Sequence, residues 1–69
     1  MPDIVIQLGG DPRPVPAGSN LAELVAALGH AHDAVATAVN GDFVRRDLRV
    51  ATVLAAGDQV LVFQPIVGG

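Results

Sequence analysis

One segment of this chain carries the period of an amphipathic helix. Leu21, Leu24, Val25 and Leu28 recur at i, i+3, i+4 and i+7, which lines them up as a single apolar stripe. Asn20 is placed to cap the stripe, with Glu23 three residues on as in a capping box, and Ser19 is the alternative cap. Gly29 is the stop signal. So short a helix does not hold itself in water and needs a surface to pack on. The remaining regular segments alternate with a period of two, so that surface is a sheet. The chain is therefore expected to be α+β, with one helix on one face of a mixed sheet of about five strands.

The strands follow from the alternation and its punctuation. Asp3 to Leu8 puts Ile4, Ile6 and Leu8 on one face, and Val5 and Gln7 on the other. Gly9-Gly10-Asp11-Pro12 reads as a turn, and Arg13 to Pro16 as the return strand of a hairpin. Proline cannot donate to a ladder, so that return strand is expected to be short and at a sheet edge. Val35 to Val39 and Asp42 to Arg45 flank Asn40-Gly41, a type I′ hairpin signal. Arg46 to Ala56 is less regular and is expected to wrap the domain, with a short helical turn and with Leu48, Val50, Val53 and Leu54 as apolar contacts. Ala56-Gly57-Asp58 is a turn before the last strand, Gln59 to Gln64, which Pro65 ends. Residues 1–64 read as the folded domain and 65–69 as a flexible tail.

The last strand is apolar on both sides. One helix covers only one face of a sheet, so half of these side chains must stay outside. Val60 and Val62 are expected under the helix. Leu61 and Phe63 are then expected on an uncovered face, as a docking surface for a partner.

Composition narrows the function classes. Ordering 69 residues costs on the order of 100 kcal/mol in conformational entropy, so nearly every Val, Leu and Ile is expected to help bury a core. Little is left for the walls of a deep substrate cleft. A carrier, an adaptor or a subunit fits better than a self-contained enzyme. The absence of cysteine excludes a disulfide framework, a thiolate metal site and a catalytic thiol. The absence of lysine excludes Schiff-base chemistry. A net charge of −3 argues against nucleic acid as a partner. Arg45, Arg46 and Arg49 form a cluster, read either as a solvated face or as a partner contact. His30, His32 and Asp33 sit just past the helix end at a spacing that suits a polar surface loop better than a metal site, and no metal is expected. No apolar run approaches the ~20 residues that cross a bilayer, and Asp3 with no early Lys or Arg does not look like a signal peptide. Neither a membrane nor a nucleic acid is expected as a partner, and the expected compartment is the cytoplasm.

The chain ends in Gly68-Gly69, behind Gly57-Asp58-Gln59-Val60 and the final apolar strand. Together with Pro16-Ala17-Gly18, Asn20-Leu21-Ala22-Glu23-Leu24, Val39-Asn40-Gly41-Asp42-Phe43-Val44 and Arg46, these residues resemble the ubiquitin-like β-grasp sulfur carriers over the whole chain. The resemblance is to the ThiS type of thiamine thiazole biosynthesis. Arg45 stands where that family commonly has Pro.

The resemblance implies a β-grasp fold and a carrier rather than an enzyme, with no catalytic residue and no bound cofactor. A ThiF-like adenylyltransferase would use ATP to adenylate the carboxylate of Gly69. A persulfide sulfur would then displace AMP, leaving a thiocarboxylate from which a ThiG-like thiazole synthase takes the sulfur. Gly69 would be the modification site. Gly68, Val67 and Ile66 would form the tail that enters the partner's groove. Two alternatives stay open. One is the molybdopterin-synthase small subunit (MoaD-like), suggested by Pro65. The other is a β-grasp interaction module whose Gly-Gly end is incidental.

Overall fold

The computed structural model describes residues 2–31 and 33–64. Strands β1 (Asp3–Leu8) and β2 (Asp11–Pro16) form a hairpin, followed by helix α1 (Leu21–Ala27). Strands β3 (Ala36–Val39) and β4 (Asp42–Val44) form a second hairpin, followed by a 3-10 helix (Arg46–Ala51) and the last strand, β5 (Gln59–Phe63). The sheet order is β2-β1-β5-β3-β4. The pair β1·β5 is parallel, and the other three pairs are antiparallel. This is the β-grasp arrangement, a five-stranded mixed sheet with one helix.

The local signals act as their chemistry dictates. Asn20 caps α1: its side chain accepts from the Glu23 N–H at 2.8 Å, and the Glu23 carboxylate accepts from the Asn20 N–H at 3.1 Å. Ser19, the alternative cap, instead donates its hydroxyl to the Pro16 carbonyl at 2.6 Å. At the far end, Gly29 at φ 84° lets its own N–H reach the Ala26 carbonyl and the His30 N–H reach the Val25 carbonyl. That closes the helix as a Schellman motif. Asn40 (φ 53°) and Gly41 (φ 86°) both take positive φ, as a type I′ turn requires.

Two expectations about the strands need correcting. The first concerns β2, which is neither short nor confined to Arg13–Pro16. It runs six residues from Asp11, and only Gly9-Gly10 is left for the turn. It does lie at the sheet edge. Leu8 pairs with Asp11, Ile6 with Arg13 and Ile4 with Val15. Closure by a two-residue loop makes these the hydrogen-bonded pairs, so the intervening Pro12, Pro14 and Pro16 face outward. Each missing N–H falls where the ladder needs none, so the prolines do not shorten the strand. They also leave that edge without outward donors, which blocks further strand pairing. The second correction is at strand ends. β3 starts at Ala36 rather than Val35, β4 stops at Val44 before Arg45, and β5 stops at Phe63 before Gln64.

The core lies between α1 and one face of the sheet. Ile6, Val15, Leu21, Leu24, Leu54 and Val60 are its buried members, with Ile4, Leu8, Leu28, Val39, Val44 and Val62 packed around them. The segment after the 3-10 helix closes one end of it. The Leu21 N–H donates to the Thr52 carbonyl and the Leu54 N–H to the Ser19 carbonyl, both at 2.9 Å, and Asn20 bridges Val53. Among the apolar residues expected to pack from this segment, only Leu54 is buried, whereas Leu48, Val50 and Val53 are exposed. The inward position in the 3-10 helix belongs instead to Arg49, which is 2% exposed. The predicted tail, residues 65–69, and the expected site residues Ile66, Val67, Gly68 and Gly69 lie outside the described residues, as does His32.

Candidate functional site

The uncovered sheet face is where the expected docking residues fall. In β5 the burial alternates strictly. Val60 is buried and Val62 half-buried on the helix side, while Leu61 and Phe63 are 49% and 47% exposed on the other. Register places their neighbours. Leu61 pairs with Ala38, which pairs with Phe43. Phe63 pairs with Ala36. The open face thus has a trough floored by two alanines, with Leu61 and Phe63 along one wall and Phe43, 65% exposed, on the other. Val5 is exposed on the same face but lies level with Gly57, with Gln7 and Gln59 between it and Leu61. Leu61, Phe63 and Phe43 are the apolar side chains gathered on this part of the open face.

Phe43 was not among the expected docking residues. Its signal was present in the turn: with Asn40-Gly41 as a two-residue loop, Phe43 must oppose Ala38 and share its face. Ala36 and Ala38 carry no such signal in the sequence, because their contribution is their small size.

The arginine cluster separates into two kinds of residue. Arg49 donates from Nε to the Thr37 hydroxyl at 3.0 Å and from a terminal nitrogen to the Val35 carbonyl at 2.6 Å. Thr37, itself fully buried, donates on to the Val44 carbonyl at 2.9 Å. This network ties the 3-10 helix to both strands of the second hairpin. For Arg49, neither the solvated-face nor the partner-contact reading holds, because the guanidinium is held within the fold. Arg45 and Arg46 remain exposed. Arg45 meets Asp47 at 3.3 Å in a solvent-exposed pair. With Phe43, Val35 and Ala36, both arginines line an open hollow of about 560 Å³ where β3 begins, beside the end of β5 that leads to residue 64.

The opposite end of the sheet is locked. The Asn40 side chain donates to the Asp58 carboxylate at 3.1 Å and accepts from the Gln59 N–H at 3.0 Å. The other Asp58 carboxylate oxygen accepts from the Ala55 N–H at 2.8 Å. Asn40 and Asp58 therefore staple the β3–β4 turn to the turn before β5, which fixes the register that aligns the trough. His30 and Asp33 are exposed, and among the described residues no group of three His, Cys, Asp or Glu side chains is placed to hold a metal. Among the described residues no helix is long and apolar enough to cross a membrane.

Comparison with known proteins agrees with this architecture. The model of the ThiS family matches residues 6–69. A crystal structure of a thiamine biosynthesis protein (ThiS) from Geobacter metallireducens is 29% identical. It superimposes with a TM-score of 0.83, covering 96% of this chain and 100% of that one. A solution NMR structure of a thiamine biosynthesis protein from the same organism is 30% identical with a TM-score of 0.72, covering 96% of this chain and 87% of that one. Among curated proteins none matches the sequence.

Proposed function

The chain belongs to the ThiS family, and from that premise we propose that it is a sulfur carrier of thiamine biosynthesis whose working group is the carboxylate of Gly69. The observation that carries this reading is the family match, which runs from β1 through Gly69 and so includes the Gly-Gly end as well as the domain. The match favours the thiamine carrier over the molybdopterin-synthase small subunit.

The chemistry assigns the work to partners. A carboxylate resists nucleophiles because it is anionic and has no good leaving group. A ThiF-like adenylyltransferase joins a Gly69 carboxylate oxygen to the α-phosphorus of ATP and expels pyrophosphate. A persulfide sulfur then attacks the acyl carbon, and AMP leaves. A thiol reductant cleaves the resulting acyl disulfide and is itself oxidised, which leaves the thiocarboxylate on Gly69. A ThiG-like thiazole synthase consumes that sulfur. The chain has no thiol of its own, so it offers no competing site for the persulfide.

The chain's own part is presentation. Gly68 and Gly69 carry no Cβ, which suits passage through a narrow channel to the nucleotide. Ile66 and Val67 supply main-chain and pocket contacts in the partner's groove. The trough of Leu61, Phe63 and Phe43 docks the domain and sets how far the tail reaches. The carrier works in the cytoplasm, beside the ATP its partner uses.

The test is the mass of the C-terminal peptide after incubation with a ThiF-like enzyme, ATP and a sulfur source. Replacement of one oxygen by sulfur on that peptide, reactive toward a thiol-directed reagent, is the expected result. Oxidation of Met1 gives a nearly equal shift in the intact mass, so the change must be placed on the C-terminal fragment. An unmodified Gly69, with an enzyme that converts its own carrier in the same assay, overturns the reading.

A further inference from the structure

We propose that Arg45 and Arg46 form a cationic clamp for acidic side chains on the activating enzyme, and that this clamp orients the carrier before its apolar trough closes on the partner. The inference rests on the carrier reading above and identifies the chemistry of the partner's surface.

Charge distribution carries the argument. The chain has seven acidic residues against four arginines. Arg49 is consumed inside the fold, and Arg13 is half-buried on the covered side of β2, opposite Ile6. Among the described residues, Arg45 and Arg46 are therefore the exposed arginines of an acidic domain, and they are adjacent. The β3–β4 register, carried one residue past Val44, puts Arg45 opposite Ala36, in the row of Phe63. The hollow these arginines line is continuous with Phe43. An apolar patch with arginine at its rim is the usual build of a protein interface.

Pairing within the chain leaves the clamp available. Arg45 engages Asp47 through Nε, with both side chains more than half exposed, and such a pair exchanges readily for an incoming carboxylate. Arg46 has no ion-pair partner among the described residues. Asp33 and Asp47 border the same hollow, which keeps it from being a general anion trap. A free anion in so open a hollow gains little, because water screens both guanidiniums.

The experiment measures binding of the full chain to a purified ThiF-like enzyme at about 50 mM and about 500 mM salt, where screening differs severalfold. Arg46→Glu is expected to weaken binding about tenfold at low salt, mainly through a slower on-rate, with most of the difference gone at high salt. The Arg45→Glu, Arg46→Glu double variant is expected to lose more, and Arg46→Lys to retain most of the affinity. Melting temperatures should stay near that of the parent chain, since both side chains are exposed. Affinity of Arg46→Glu within twofold of the parent at low salt, while the parent is still converted at Gly69, overturns the clamp and leaves the carrier reading standing. Saturable binding of inorganic phosphate at these arginines, with enzyme affinity unchanged in the variants, also overturns it. Failure of the parent chain to bind the enzyme overturns both.

Discussion

The two faces of the sheet are made of similar residues. Ile4, Ile6, Leu8, Val60 and Val62 occupy one, and Val5, Phe43, Leu61 and Phe63 the other. The first set is sealed by α1 and Leu54, whereas the second stays at the surface. Neighbours joined by a single peptide bond, such as Ile6 and Val5 or Val60 and Leu61, differ only in which side of the pleat they leave from. The comparison shows that in a domain with one helix, apolar residues occupy both faces of the sheet, and coverage decides which of them become core. The covered face stabilises the fold, and the open face is the one available for the partner contact proposed above.

The sharpest way to break that comparison is to truncate adjacent residues on opposite faces. Ile6→Ala should cost about 2–5 kcal/mol, because it leaves a cavity under α1. Val5→Ala should stay within about 0.5 kcal/mol. Urea midpoints of the two variants measure the difference. Equal losses would mean that the open face also carries the fold. A domain of this length has total stability of only about 3–10 kcal/mol, so the first variant is expected to be largely unfolded on warming.

Arg49→Ala should come next, at roughly 3 kcal/mol, since Thr37 and Val35 lose a charged donor where water does not reach freely. That corresponds to a fall of roughly 12–24 °C in melting temperature, whereas Arg46→Ala should barely move it. Calorimetry of the pair separates the buried arginine from its exposed neighbour. Asn20→Ala should cost about 1 kcal/mol by opening the capping box, and would loosen the cover without touching the sheet. Helical circular dichroism during denaturant titration follows it. Phe63→Asp, like Val5→Ala, should change stability by no more than about 0.5 kcal/mol, yet it should weaken binding to the activating enzyme. A large drop in melting temperature for Phe63→Asp would place Phe63 in the core and invert the assignment of faces.

Much of the fold could be read from short stretches of chain. The helix stripe, the Asn20 cap, the Gly29 stop and the Asn40-Gly41 turn all depend on residues within a few positions of one another. Each appears where those residues put it. The assignment of Val60 and Val62 to the helix side and of Leu61 and Phe63 to the open side also holds. The site was legible only in part. Leu61 and Phe63 were recognisable by alternation. Phe43 required the register of β4, and the alanine floor required knowing what flanks it.

The segment from Arg46 to Leu54 resisted reading for a physical reason. Its conformation is set by what it touches: the Ser19 carbonyl, the Leu21 N–H, and Thr37 with Val35 across the chain. An apolar residue in a 3-10 turn is free to face water, and an arginine can be buried when carbonyl and hydroxyl oxygens are assembled around it. Sequence by itself determined the elements, their caps and turns, and the amphipathic alternation of the strands, because these arise from sterics and hydrogen bonds along a few consecutive residues. Only the tertiary structure decided that Arg49 belongs inside while Arg46 stays out, and that two alanines and two phenylalanines become one trough. Those outcomes depend on groups far apart in the chain, brought together only when the sheet closes in its order β2-β1-β5-β3-β4.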